Sequence, residues 1–397
     1  MLCSKLENLA TMQRRAPAQH NCEDKIMSSV IRGAALVFVT CLPLQSQARP
    51  QTPDPQQLFQ EAVTAQQRGD DAVALRKYRE LLRVHPGAMV VRANLGATFA
   101  HLKRYDEAVE QYRAVLAAEP GNGHVRLNLA VVYQERGDLP RAVAELELLR
   151  QKQPEDMQAA LLLADCYRQL KRYSDAVKLL KAIQPQQPDD LDLQYLLGLV
   201  LIQSGRAEEG AGDIEKVAEK AANAEAYLLA GQTRLGIDQY DLALTDAQAA
   251  LRLNPALAGA QTLLGMVLEH TGDFRGATAA LEQALRANER DFDAHFYLGS
   301  ILYFDRDLPA AKLHLQRARQ LRPESSQAQY KLALIAIQEG HLEVALKELQ
   351  IVIRDSPDWL EAHVELAGLY YRLHRPEDGA RERLLVDRLA TPQPPGR

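Results

Sequence analysis

The chain has 397 residues, 25% of them charged and 47% hydrophobic, and its 47 basic and 52 acidic side chains leave a net charge of −5. Those values are globular, and length alone suggests two or three domains. The charges are intermixed, with no long basic run and no basic patch interleaved with aromatics. That argues against nucleic acid as a partner, because a phosphate backbone asks for a positive surface.

Residues 1–48 stand apart from the rest of the chain. Gly33 to Leu44 is an apolar run of 12 residues after Arg32, too short to span a bilayer. Ser46-Gln47-Ala48 comes next as a small-x-small site, so the segment reads as a cleaved secretory signal with the mature chain starting near Arg49. Met1, Met12 and Met27 are all candidate starts, and Met27 lies six residues before the run. The expectation is an exported protein, periplasmic or secreted, with no membrane span in the mature chain. The competing readings are an uncleaved anchor, a lipid on Cys41 and a disordered cytoplasmic tail. Cys3, Cys22 and Cys41 fall in the part to be removed, which leaves Cys166 without a partner for an internal disulfide. Residues 49–54 read as a short extended linker.

From residue 55 a clock begins. Pro86, Pro120, Pro154 and Pro188 stand 34 residues apart, Pro255 and Pro323 stand two such steps apart, and Pro357 is one step further. Between prolines run two helix-length segments joined by a short turn. The first carries Leu-Gly or Leu-Ala with an apolar residue three further on, as in Leu95-Gly96 with Phe99 and Leu366-Ala367 with Tyr370. The turn often holds glycine, at Gly69, Gly137, Gly205, Gly272 and Gly340. The second segment has a small residue at Ala74, Ala108, Ala142, Ala176, Ala243, Ala277, Ala311, Ala345 and Ala380. A large residue stands four positions later, such as Tyr78, Leu146 or Leu349. Small residues let two backbones approach, and apolar residues three and four apart make one buried stripe per helix. Proline closes the second helix because it lacks an N–H and forces the residue before it out of the helical region. Acidic or hydroxyl residues then appear, as in Glu155-Asp156, Asp189-Asp190 and Glu324-Ser325, ready to cap the next helix.

The repeat between Pro188 and residue 222 departs most from the others. It spans 33 residues, carries Gly210 in place of the central alanine, adds Gly212, and ends on Ala222 instead of proline. Glycine inside a helix costs about 0.5–1 kcal/mol relative to alanine, so 205–222 is expected to be the softest segment and a hinge. Another copy has Glu289 at the proline position. Residues 391–397, rich in proline, end the repeat array.

This pattern resembles the tetratricopeptide repeat family over residues 55–390, in ten units. The tryptophan that family places early in the first helix is missing, and Trp359 sits just before the last unit. The resemblance implies an all-α fold, a right-handed superhelical solenoid of helix-turn-helix repeats in one elongated domain. It also implies a groove lined by the first helices, with positions 2, 5, 6, 9, 12 and 13 of each repeat pointing into it. On those positions lie Asn94 and Asn128, which resemble the start of an amide ladder for a peptide backbone. Leu162, Leu196, Leu229 and Leu263 lie on the same face, together with Tyr195, Leu199, Met266, Phe296, Tyr297, Tyr303, Phe304 and Tyr330. A stripe of this kind marks an interaction surface.

No His-Glu-x-x-His pair, phosphate loop or dinucleotide fingerprint occurs in the chain, and no strand-like block is left to house a catalytic domain. The expectation is a non-enzymatic scaffold or adaptor with no cofactor and no metal, holding a peptide or helix of a protein partner. The alternative is an accessory or regulatory subunit of a cell-envelope enzyme, associated with a glycosyltransferase or a protease.

Overall fold

A computed structural model describes residues 54–391 of the chain. The apolar run, its cleavage site, residues 49–53 of the linker and the 392–397 tail lie outside the described residues. The chain divides into two compact units between Val217 and Ala218.

The first unit holds four helical hairpins and most of a fifth. These are α1 (Pro55–Gln67) with α2 (Asp71–Val84), α3 (Met89–His101) with α4 (Tyr105–Ala118), and α5 (Gly123–Glu135) with α6 (Leu139–Lys152). Then come α7 (Met157–Gln169) with α8 (Tyr173–Ile183), and α9 (Leu191–Gln203) with α10 (Ala207–Ala221), across which the boundary falls. The second unit continues with α11 (Ala224–Gly236) and α12 (Tyr240–Leu253), then α13 (Ala260–Thr271) and α14 (Phe274–Ala287). It ends with α15 (Phe292–Phe304) and α16 (Leu308–Leu321), α17 (Ser326–Gln338) and α18 (Leu342–Asp355), and α19 (Leu360–Arg372) and α20 (Pro376–Ala390). No strand occurs among the described residues.

Capping fixes where these helices start. Asn122, Asp156, Asp190, Asn223 and Asp291 each accept a hydrogen bond from a backbone N–H three residues on, and so does Ser325 through its hydroxyl. Second helices such as α4 and α6 end two residues before the proline, and the residue in front of that proline leaves the helical region, as at Glu119 (φ −127°, ψ 72°) and Gln153 (φ −135°, ψ 72°). Asn288 adopts the same conformation (φ −145°) in front of Glu289, so the stop does not require the proline.

The small-residue line is buried as expected. The alanines from Ala74 to Ala345 named above are fully buried, and so are Leu146, Leu180, Leu281, Leu315 and Leu349. Burying one such leucine is worth about 1.5–3 kcal/mol. One assignment is corrected. Ala380 is exposed, and Gly379 is the buried small residue of α20. The period counted from Ala345 lands on Gly379, where a Cβ would meet the Tyr371 ring at 2.8 Å.

The hairpin turns all place one residue in the left-handed region. Glycine does so in every second turn, and Lys103, Lys171, Asp238, Arg306 and His374 do so in the others, with φ between 57° and 63°.

The short repeat has a structural explanation. Its second helix, α10, is one residue longer than α2, α4 or α6, and the loop to α11 is two residues shorter than the loop from α2 to α3. Ala222, at φ 48°, makes the turn. Within the hairpin, Gly210 faces Gly198. A Cβ on Gly210 would lie 2.6 Å from the Gly198 carbonyl oxygen and 2.8 Å from the Ile202 nitrogen. Gly210 is therefore required by backbone contact between α9 and α10, which the sequence does not convey.

In each unit a second helix packs on the first helix of the next hairpin, and neighbouring first helices also touch each other. A clasp recurs along the chain that no repeated residue type announces. A long polar side chain on the first helix reaches the loop carbonyl six residues back and a side chain 19 residues ahead. Arg92 bonds Pro86 O and Gln111, Arg126 bonds Pro120 O and Glu145, and His363 bonds Pro357 O and Glu382. In the α15–α16 hairpin both members are histidine. His295 Nε2 donates to Glu289 O at 3.1 Å, so its Nδ1 accepts from His314 Nδ1, 3.0 Å away.

The bond needs one of the two Nδ1 atoms unprotonated, so the two rings cannot both be charged. Burial pushes the His295 pKa down, Arg317 adds to that, and the Glu289 hydrogen bond and Asp291 oppose it. Burial also pushes His314 down, helped by His295 and opposed by Glu282. Because the folded values lie below that of the unfolded chain, about 6.5, the unfolded state binds more protons as pH falls. The clasp's contribution is full above that value and is lost as pH falls through the folded values. Between pH 7 and 5 the melting temperature of the native chain should therefore fall further than that of His314→Gln, measured by circular dichroism. Equal falls would remove the clasp as a source of pH dependence.

Candidate functional site

The predicted groove residues divide sharply by burial. Tyr195, Met266, Leu162, Leu229 and Leu263 are buried in the packing of their own units. Asn94, Asn128 and Leu199 are half-buried. Arg92 and Arg126, close to the two asparagines, are committed to the clasps. Phe296, Tyr297, Tyr303 and Tyr330 are half-buried, and Phe304 is 60% exposed.

The accessible aromatic side chains therefore gather in the second unit, on α15 and α17. Position along the helix decides this. Residues 296 and 303, and likewise 297 and 304, stand seven apart, two turns along the same side of the helix. Their rings touch in neighbouring pairs. Phe296 meets Tyr297 edge-on with centroids 5.4 Å apart, Tyr303 meets Phe304 at 5.9 Å, and His270 of α13 meets Tyr297 at 6.3 Å. Tyr240 stacks on His270 at 5.0 Å. At the other end Tyr330 packs against Trp359 at 4.8 Å.

The polar members are equally placed. Tyr303 accepts a hydrogen bond from Gln338 at 2.6 Å, and Arg306 bonds the same amide at 3.0 Å. Lys331 lies with its ammonium 5.1 Å from the Phe304 ring centre and 5.7 Å from that of Tyr303. Burial pushes the Lys331 pKa down, against the pull of Glu269. Burial also pushes the Tyr297 and Tyr303 phenols up, and takes Tyr330 to about 12. Asp293, at the start of α15, is raised to about 6 by burial, against Arg322 3.8 Å away.

Sequence reasoning missed Lys331, Trp359, His270 and Tyr240 as members of this face. For Lys331 the signal was available. It occupies position six of its repeat, next to Tyr330 at position five, and a cation at a groove position is as telling as an apolar residue.

Cys166 is fully buried on α7, and burial takes its thiol up to about 12. It packs as a small apolar side chain. Among the described residues no group of three or more His, Cys, Asp or Glu is placed to hold a metal ion. No described helix is long and apolar enough to cross a membrane.

Two profiles of the tetratricopeptide repeat match the chain, one over 99–160 and 146–200, the other over 59–123, 228–277, 264–326, 302–358 and 330–390. The chain belongs to the tetratricopeptide repeat family. The matches leave out 201–227, the stretch where Gly210 and the shortened loop break the pattern. Repeats of this family build scaffolds that bind protein partners. No curated protein matches the chain. Among solved structures, a tetratricopeptide repeat protein from Parabacteroides merdae shares 16% identity, over 62% of this chain and 98% of that one, with a TM-score of 0.47. Yeast Tom70 shares 14%, over 85% and 92%, with a TM-score of 0.39. YrrB, described as a repeat protein with an unusual peptide-binding site, shares 22%, over 45% and 92%, with a TM-score of 0.38.

Proposed function

We propose that this tetratricopeptide repeat chain is a binding scaffold whose partner segment lies on the aromatic face of α15 and α17. The supporting observation is the row from Tyr297 to Phe304 and Tyr330, which ends in a phenylalanine 60% exposed. An exposed aromatic next to partly exposed ones is the usual anchor of a protein interface. A helix or extended segment laid along such a face places apolar side chains at regular intervals against it.

The test is crosslinking and mass spectrometry from intact cells, comparing the native chain with Tyr297→Ala/Phe304→Ala and with Phe304→Ala alone. Truncating two anchors should weaken binding by at least about tenfold. Phe304→Ala, at an exposed position, should leave the melting temperature unchanged. Crosslinks that persist in the double variant would remove the partner from this face.

A further inference from the structure

We infer that His295 and His314 form a two-histidine site for a divalent late transition-metal ion, of the Cu2+, Ni2+ or Zn2+ class, bound through the two Nδ1 atoms. The inference does not depend on the reading of the aromatic face.

Three observations carry it. The first is the spacing. The two Nδ1 atoms stand 3.0 Å apart, on rings with centroids 5.2 Å apart. Two nitrogens each about 2.0 Å from one ion are about 2.9 Å apart when they meet it at a right angle, the tetragonal geometry of Cu2+ and Ni2+. On a tetrahedral Zn2+ they are about 3.3 Å apart. The observed spacing falls between the two.

The second is the orientation. His295 Nε2 donates to the Glu289 carbonyl oxygen at 3.1 Å. A hydrogen bond of this kind, from the second ring nitrogen to a backbone carbonyl, is what fixes the tautomer and ring direction of metal-binding histidines. It leaves the lone pair of His295 Nδ1 bare and aimed at His314. His314 joins as a second ligand by moving its proton from Nδ1 to Nε2, which leaves the charge of the ring unchanged. Burial pushes both pKa values down, which keeps the rings neutral at pH 7, as ligands must be.

The third is the choice of residues. Elsewhere the same clasp joins a donor to an acceptor, as Arg92 to Gln111, Arg126 to Glu145 and Gln329 to Glu348. In the α15–α16 hairpin both places hold imidazole, the ligand that suits copper, nickel and zinc. The two helices pack directly on each other, so the rings stand on a rigid frame. Of the charged groups acting on the rings, Glu282 and Asp291 favour a cation and Arg317 opposes it. Two histidines are the whole protein contribution, and water fills the remaining positions of the ion.

The experiment is titration of the full chain with Cu2+ at neutral pH, read by calorimetry and by electron paramagnetic resonance, with the fold of each variant checked by circular dichroism. The native chain should show a site with two coordinated imidazole nitrogens. His295→Gln and His314→Gln should each lose one nitrogen from the spectrum and weaken binding by at least about tenfold. His85→Gln, at an exposed position in the other unit, should change neither. The same spectrum and affinity in His295→Gln and His314→Gln would place the ion on other surface groups and overturn the site, and so would a native chain that binds no Cu2+.

Discussion

Replacing Asp246 with alanine should lower the stability of the second unit by about 3–5 kcal/mol, the cost of breaking a buried ion pair by removing one partner. Asp246 on α12 is fully buried, Arg234 on α11 is 5% exposed, and their charged groups meet at 2.7 Å. The two residues join the helices of one hairpin, so the charge sits where α11 and α12 pack together. Alanine leaves the guanidinium in a low-dielectric site without this counter-charge. Asp246→Asn keeps an acceptor oxygen and should lose less. Replacing both partners, as Arg234→Met with Asp246→Leu, should recover most of the loss, because apolar packing substitutes well for a buried pair. Urea unfolding of the three variants checks this. A loss under about 1 kcal/mol for Asp246→Ala would show that the pair is not what holds the hairpin.

Gly210→Ala should destabilise the chain by about 1–3 kcal/mol, the usual cost of overpacking. Helix propensity alone predicts the opposite sign, a gain of about 0.5–1 kcal/mol. The added methyl decides between them, since the groups it would strike, the Gly198 carbonyl oxygen and the Ile202 nitrogen, belong to backbone and cannot rotate away. Gly212 is the internal control. A Cβ there meets nothing within 4 Å, so Gly212→Ala should stabilise. If both variants gain stability in thermal unfolding, the close approach of α9 and α10 is wrong. Hydrogen exchange over 205–222 would show separately whether this segment opens first.

Much of the architecture was legible because the signals are local and repeated. A proline fixes its own φ and restricts its predecessor, so a periodic proline announces a periodic helix stop. Small residues such as Ala277 and Ala311 sit in one register, and so do the caps at Asp156, Asp190 and Ser325. Where the register slipped by one, at Ala380, the period still pointed to Gly379.

The site was less legible. One repeat position has different surroundings in different hairpins, so at position six Leu162 and Leu263 are buried while Tyr297 is half-buried. Residue type does not separate the two cases. The clasps were illegible for the reverse reason, since arginine at Arg92 and histidine at His295 and His363 do one job with different chemistries. Gly210 looked like a weakness because a residue's helix propensity can be read from its type, whereas its neighbour across the hairpin cannot.

Alternate hairpin turns strain a side chain into a conformation that glycine takes without cost, at Lys103, Lys171, Asp238, Arg306 and His374. Glycine at any of these five bends would relieve that strain, whereas alanine at Gly69, Gly137, Gly205, Gly272 or Gly340 would add it, so bends that tolerate substitution alternate along the chain with bends that do not.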